Sequence, residues 1–135
     1  MYDRIINNLE NIYSKIPTFS CQHCHKCCGP IFWFELEDIL IREYMLKNKI
    51  KRILWTREEF EKNNIKCPYL KKDRCIIYPV RPIVCRLQGN IPELRCYLMH
   101  NKLISKKQLI NIKDQLFKLI RVSKGTNVFY STLKF

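Results

Sequence analysis

The chain has 135 residues, 47% hydrophobic and 27% charged, and its 25 Lys and Arg against 12 Asp and Glu give a formal net charge of +13. This length suits one domain with a feasible but modest core, and the absence of long apolar runs and low-complexity stretches argues for a soluble globular protein without a membrane span. So large a positive charge favours polyanions such as RNA, DNA or an acidic protein face, without selecting among them.

The first segment, "MYDRIINNLENIYSKIP", places Ile5, Leu9, Ile12 and Ile16 on one helical face, and Pro17 ends the pattern. It has no continuous apolar stretch or small-residue cleavage site of the kind a secretory signal carries, so a cytoplasmic location is expected. "CQHCHKCC" follows at residues 21–28 and leads through Gly29 and Pro30 to the apolar stretch Ile31–Phe34, which reads as a short strand. A second helix then begins with Glu35, Glu37 and Asp38, acidic groups suited to the positive end of a helix dipole. Leu36, Ile39, Leu40 and Tyr44 are its expected buried face.

In "WTREEF", Thr56 and Glu59 have capping-box spacing and Trp55 and Phe60 staple spacing, which predicts a short helix over Arg57–Asn63. From Cys67 to Cys96, four prolines (Pro68, Pro79, Pro82, Pro92) exclude a long helix and leave loops and short extended pieces. Ser105 and Gln108 form another capping box, followed by the apolar face Leu109, Ile112, Leu116 and Leu119 and a stop at Gly125. This basic helix, about residues 106–124, gathers Lys106, Lys107, Lys118 and Arg121 on the opposite arc, either as a phosphate-tracking face or as a merely solvated one. The fold class is therefore mainly α: a small, irregular single domain over 1–135, with short extended segments, organised around cysteine-ligated metal.

The chemistry rests on eight cysteines. A reducing compartment makes metal binding a better reading than disulfides. Cys21, Cys24 and Cys27 are spaced C-x2-C-x2-C, as ligands of one cluster are in bacterial ferredoxins, and Cys28 follows directly. Neighbouring Cys27 and Cys28 do not easily face one small ion, so the run is able to serve two centres. Cys67, Cys75, Cys85 and Cys96 complete eight candidate ligands but form no second C-x2-C knuckle, which favours an iron–sulfur cluster, 4Fe–4S by preference, over zinc. Zinc stays open as the alternative cofactor. His23 and His25 are further candidate ligands within the run, whereas His100 reads as a surface residue. Arg81 and Arg86 flank Cys85, where they could tune a thiolate centre or bind an anion.

The run, its Gly29, the downstream "CPYL" and "RCIIYPVRPIVCR", and the last cysteine at 96 together resemble the YkgJ-type CxxCxxCC zinc- or iron-chelating domain family over about residues 21–97. The resemblance implies a metal site without naming a substrate. Its cysteine motif is also similar to that of flagellin lysine-N-methylases, which carry an iron–sulfur cluster, and this adds to the preference for iron. Two functions are expected from different classes. One is an iron–sulfur protein in redox chemistry, electron transfer or cluster-assisted modification; the other is a zinc-stabilised, non-enzymatic module that binds nucleic acid or an acidic protein.

Overall fold

The computed structural model describes residues 2–18, 28–94, 96, 103–122 and 129–132. Among the described residues five α-helices dominate: α1 (Tyr2–Ser14), α2 (Glu35–Lys47), α3 (Arg57–Lys62), α4 (Ile83–Leu87) and α5 (Lys106–Val122). The strands are short: β1 (Phe32–Phe34), β2 (Leu70–Lys71), β3 (Arg74–Cys75) and β4 (Phe129–Ser131). Among the described residues no helix is long and apolar enough to cross a membrane.

Two apolar clusters form, and α2 stands between them. The first unites Leu9, Ile12, Tyr13 and Ile16 of the N-terminal segment with Ile83, Ile91 and Ile104 and with Ile112, Leu116, Leu119 and Ile120 of α5. The second contains Trp33, Ile41, Met45, Tyr69, Ile77 and Val80 together with Cys67. Leu36 and Ile39 face the first, Ile41 and Met45 the second, and Leu40 touches both. The expected single stripe on α2 is thus corrected: a helix flanked by two cores buries a wider arc than an amphipathic surface helix does.

Local signals act where they were expected. At α3 the Glu59 N–H donates to Thr56 Oγ1 at 3.2 Å, and Trp55 packs edge-on against Phe60 with ring centroids 5.3 Å apart. At α5 the Ser105 N–H donates to Gln108 Oε1 at 2.8 Å and the Gln108 N–H returns to Ser105 Oγ at 3.1 Å. The stop expected at Gly125 lies outside the described residues.

The strands make two antiparallel pairs. β2 and β3 form a hairpin with Leu70 opposite Cys75, and its two-residue turn puts Lys72 and Asp73 at φ 48° and 64°. Left-handed backbone at both turn positions suits the twist of a tight hairpin. The other pair joins distant parts of the chain, with Phe32 opposite Ser131. Thr132 secures it: its N–H donates to the Ile31 carbonyl at 3.0 Å, and its own carbonyl accepts the Trp55 N–H at 2.9 Å.

Candidate metal centre

Cys67, Cys75 and Cys85 arrive from three different local structures. Cys67 precedes Pro68 in a tight turn, with the Leu70 N–H donating to its carbonyl at 3.1 Å. Cys75 is carried by β3, where the hairpin fixes its register. Cys85 lies in α4, a helix of five residues that begins after Pro82, whose fixed φ and missing N–H suit a helix start. Cys28 and Cys75 both pack against the cluster that contains Cys67. Cys96 is half-buried, and Cys67, Cys75, Cys85 and Cys96 carry free thiols.

Burial sets the chemistry of these thiols. Desolvation pushes Cys67 up to about 11, and the charge of Cys75 adds to the effect. Cys85 is raised further, again chiefly by desolvation, with Cys67 and Cys75 next in importance. Desolvation also raises Cys75, while the charge of Arg81 pulls it back. Left alone, such thiols stay protonated at neutral pH. A bound cation reverses this, because a coordinating thiol is deprotonated outright. Desolvated sulfurs, with Cys85 within reach of the charge of Cys67 and Cys75, fit a thiophilic metal such as zinc or iron. Among the described residues, however, no three Cys, His, Asp or Glu side chains are gathered tightly enough to hold a single ion.

The remaining candidates Cys21, Cys24, Cys27, His23, His25 and His100 lie outside the described residues. The chain on either side of the first run is nevertheless anchored beside the other thiols. Before it, the Pro17 carbonyl accepts from Asn90 Nδ2 at 2.8 Å, and the same amide donates to the Arg86 carbonyl at 2.9 Å. At its end, Cys28 packs on the Cys67 cluster, and Gly29 lies against the Ile65 carbonyl, which a Cβ there would approach to 3.4 Å.

The two arginines differ. Arg81 donates from Nε to the Tyr78 carbonyl at 3.0 Å and lies 3.9 Å above the Tyr78 ring, and its charge reaches both Cys75 and Cys85. Arg86 is turned inward. Its Nε donates to the Arg81 carbonyl at 2.7 Å, its guanidinium also donates to the Pro79 carbonyl at 3.1 Å, and the plane covers the Tyr13 ring at 4.0 Å. Partial burial lowers its pKa.

Beneath α4 lies a polar group that sequence reasoning assigned otherwise. Glu37, expected as a helix-dipole partner, is fully buried. Its Oε2 accepts from the Tyr13 hydroxyl and from the Ile83 N–H at 2.6 Å, and Oε1 accepts from the Phe34 N–H at 3.2 Å. Burial raises the Glu37 carboxyl above its usual range and the Tyr13 hydroxyl well above its own. Asp38 is also buried, accepting from Trp33 Nε1 at 2.8 Å and from Arg52 at 2.7 and 2.9 Å. The one sequence signal for Glu37 is its place three residues after Phe34, where a carboxylate can reach back to the backbone N–H at the helix start.

Fold and site define a small, mainly helical protein whose buried thiols form a candidate metal centre. A family model matches residues 20–115, a span that contains all eight cysteines, and its description reads "CxxCxxCC: Putative zinc- or iron-chelating domain". The chain belongs to this CxxCxxCC family, and metal binding is the property that the family carries. Comparison with curated proteins and with solved structures returned no match.

Proposed function

We propose that this chain is an iron–sulfur protein, holding one or two clusters of the 4Fe–4S type through its eight cysteines and serving electron transfer or cluster-assisted modification of a macromolecule. The observation that carries the reading is that Cys67 and Cys75, both desolvated, share one apolar cluster with Cys28, the last cysteine of the C-x2-C-x2-C-C run, while Cys85 is near enough to feel the charge of Cys67 and Cys75. When bound, a cluster supplies a one-electron couple whose potential follows charge, hydrogen bonding and burial around its sulfurs. Arg81 contributes positive charge near Cys75 and Cys85, which favours the more negative, reduced state. Arg86 works through the fold, fixing the backbone of the Pro79–Arg81 turn next to Cys85. A reducing, cytoplasmic setting keeps such thiols available.

The test is anaerobic purification with iron, zinc and acid-labile sulfide measured per chain beside the visible spectrum. Brown protein with matched iron and sulfide, bleached by dithionite, is the expected result. Colourless protein with stoichiometric zinc and no sulfide overturns it, leaving a zinc-stabilised binding module.

A further inference from the structure

α1 and α5 pack together and leave an open groove of about 530 Å³, with no cysteine among its described lining residues. Ile12 and Leu119 form its buried floor, and Val122 stands exposed on the rim. Arg4 and Lys15 line one wall, Lys118 the other. Among the described residues no lining residue is acidic, and none of these three cations makes an ion pair. Lys15 Nζ donates to Gln115 Oε1 across the groove at 2.5 Å, a neutral partner that leaves its charge uncompensated.

The sequence spacing explains the groove. Arg4, Asn8, Asn11 and Lys15 follow one another at intervals of four, three and four, so they share one face at the edge of the Ile5–Ile12 stripe. On α5, Gln115, Lys118, Leu119 and Val122 stand three or four residues apart along one face. Arg4 and Lys15 are eleven residues apart, about 16 Å along a helix axis. A single strand of nucleic acid gains its affinity from aromatic platforms as well as from charge, and among the described residues no aromatic residue lines this groove. An aliphatic floor between cationic rims instead matches the helix-in-groove mode of peptide recognition.

We propose that the α1–α5 groove docks an acidic amphipathic segment of a partner protein, whose aliphatic side chains cover Ile12 and Leu119 while its carboxylates meet Arg4, Lys15 and Lys118. The site is independent of which metal the thiols hold. A helical segment of about three turns, acidic at both ends, spans the two cations of α1.

The experiment uses the full, metal-loaded chain and a fluorescent peptide of about 14 Glu and Leu residues patterned as an amphipathic helix, with labelled oligouridylate as the competing probe. Arg4→Glu/Lys118→Glu reverses charge inside the groove. Lys106→Glu/Lys107→Glu makes the same change in net charge at exposed α5 positions outside it. The groove pair is expected to weaken the peptide about tenfold and the control pair less than about threefold, since each exposed charge contact contributes little on its own. Equal losses in both variants, no binding of the peptide, or tighter binding of oligouridylate that the groove pair abolishes would each overturn the proposal. If the reversal lowers the melting temperature, Arg4→Gln/Lys118→Gln is read in its place, with a loss of about threefold expected and no loss refuting the site.

Discussion

Replacing Glu37 tests whether the buried carboxyl holds the helix that carries Cys85. In the Ala variant three donors lose their acceptor: the Tyr13 hydroxyl, the Ile83 N–H and the Phe34 N–H. A buried donor left unsatisfied costs about 1–3 kcal/mol, but Phe34 is half-buried and recovers water, so the total should be about 3–5 kcal/mol. Glu37→Gln keeps one acceptor oxygen and should cost about 1–2 kcal/mol. Urea denaturation at fixed metal content measures both, with an unchanged slope as the check on two-state behaviour. The pH dependence has a definite sign. Burial raises the Glu37 carboxyl above its ordinary 4.5, so the native state holds this proton more tightly than the unfolded chain. Its contribution to stability is complete below the unfolded value and declines as pH rises through the native one. Because glutamine does not titrate, the gap between the native protein and Glu37→Gln should be widest at the acid end and narrow on going to neutral pH. A gap that widens with rising pH, or an Ala variant that loses less than about 1 kcal/mol, would refute the reasoning.

Cys67→Ser and Cys85→Ser should each lower metal content and melting temperature together, since binding energy in such a site is folding energy; a double variant with full metal and unchanged melting would remove both from the ligand set. In cluster-loaded protein, Arg81→Gln should move the midpoint potential to more negative values, read by dithionite titration, because it removes the cation beside Cys75 and Cys85. Arg52→Ala should cost about 1–3 kcal/mol by stranding the buried Asp38, and Arg52→Lys should restore part of it, because one Arg52 nitrogen makes both contacts and an ammonium that reaches the carboxylate can replace it. Ile65 sits at φ 59° and is half exposed, so Ile65→Asn should stabilise by about 1 kcal/mol in thermal melts, the left-handed region being costly for a β-branched residue.

What could be read beforehand was what neighbouring residues decide. The Thr56–Glu59 and Ser105–Gln108 boxes act over three residues, and the Ile12, Leu116 and Leu119 stripes repeat at helical spacing, so sequence alone locates α1, α3 and α5. Glu37 escaped because its partners Tyr13 and Ile83 are 24 and 46 residues away. An acidic residue in a first turn looks the same whether it faces water or a hydroxyl brought in by another helix. The hairpin that carries Cys75 turns on Lys72 and Asp73 without the glycine that usually marks such a turn, and α4 is too short for any periodicity to reveal. Of the candidate ligands, the spacing around Cys21 identified the motif. That Cys28, Cys67 and Cys75 share one apolar cluster depends on pairings made far apart in the chain.

The clasp between Ile31 and Thr132 joins residues 101 positions apart. A ribosome adding about 5–20 residues per second needs roughly 5–20 s to travel that distance. Throughout this interval the run that ends at Cys28 already exists, while β4, which will pair with the strand beside it, does not. The half-buried Cys28 is thus born into an unfinished molecule, open to whichever metal or oxidant meets it first. Fidelity of loading in such a chain is a matter of timing as much as of affinity, governed by what the cell supplies to the nascent segment before its own fold can close.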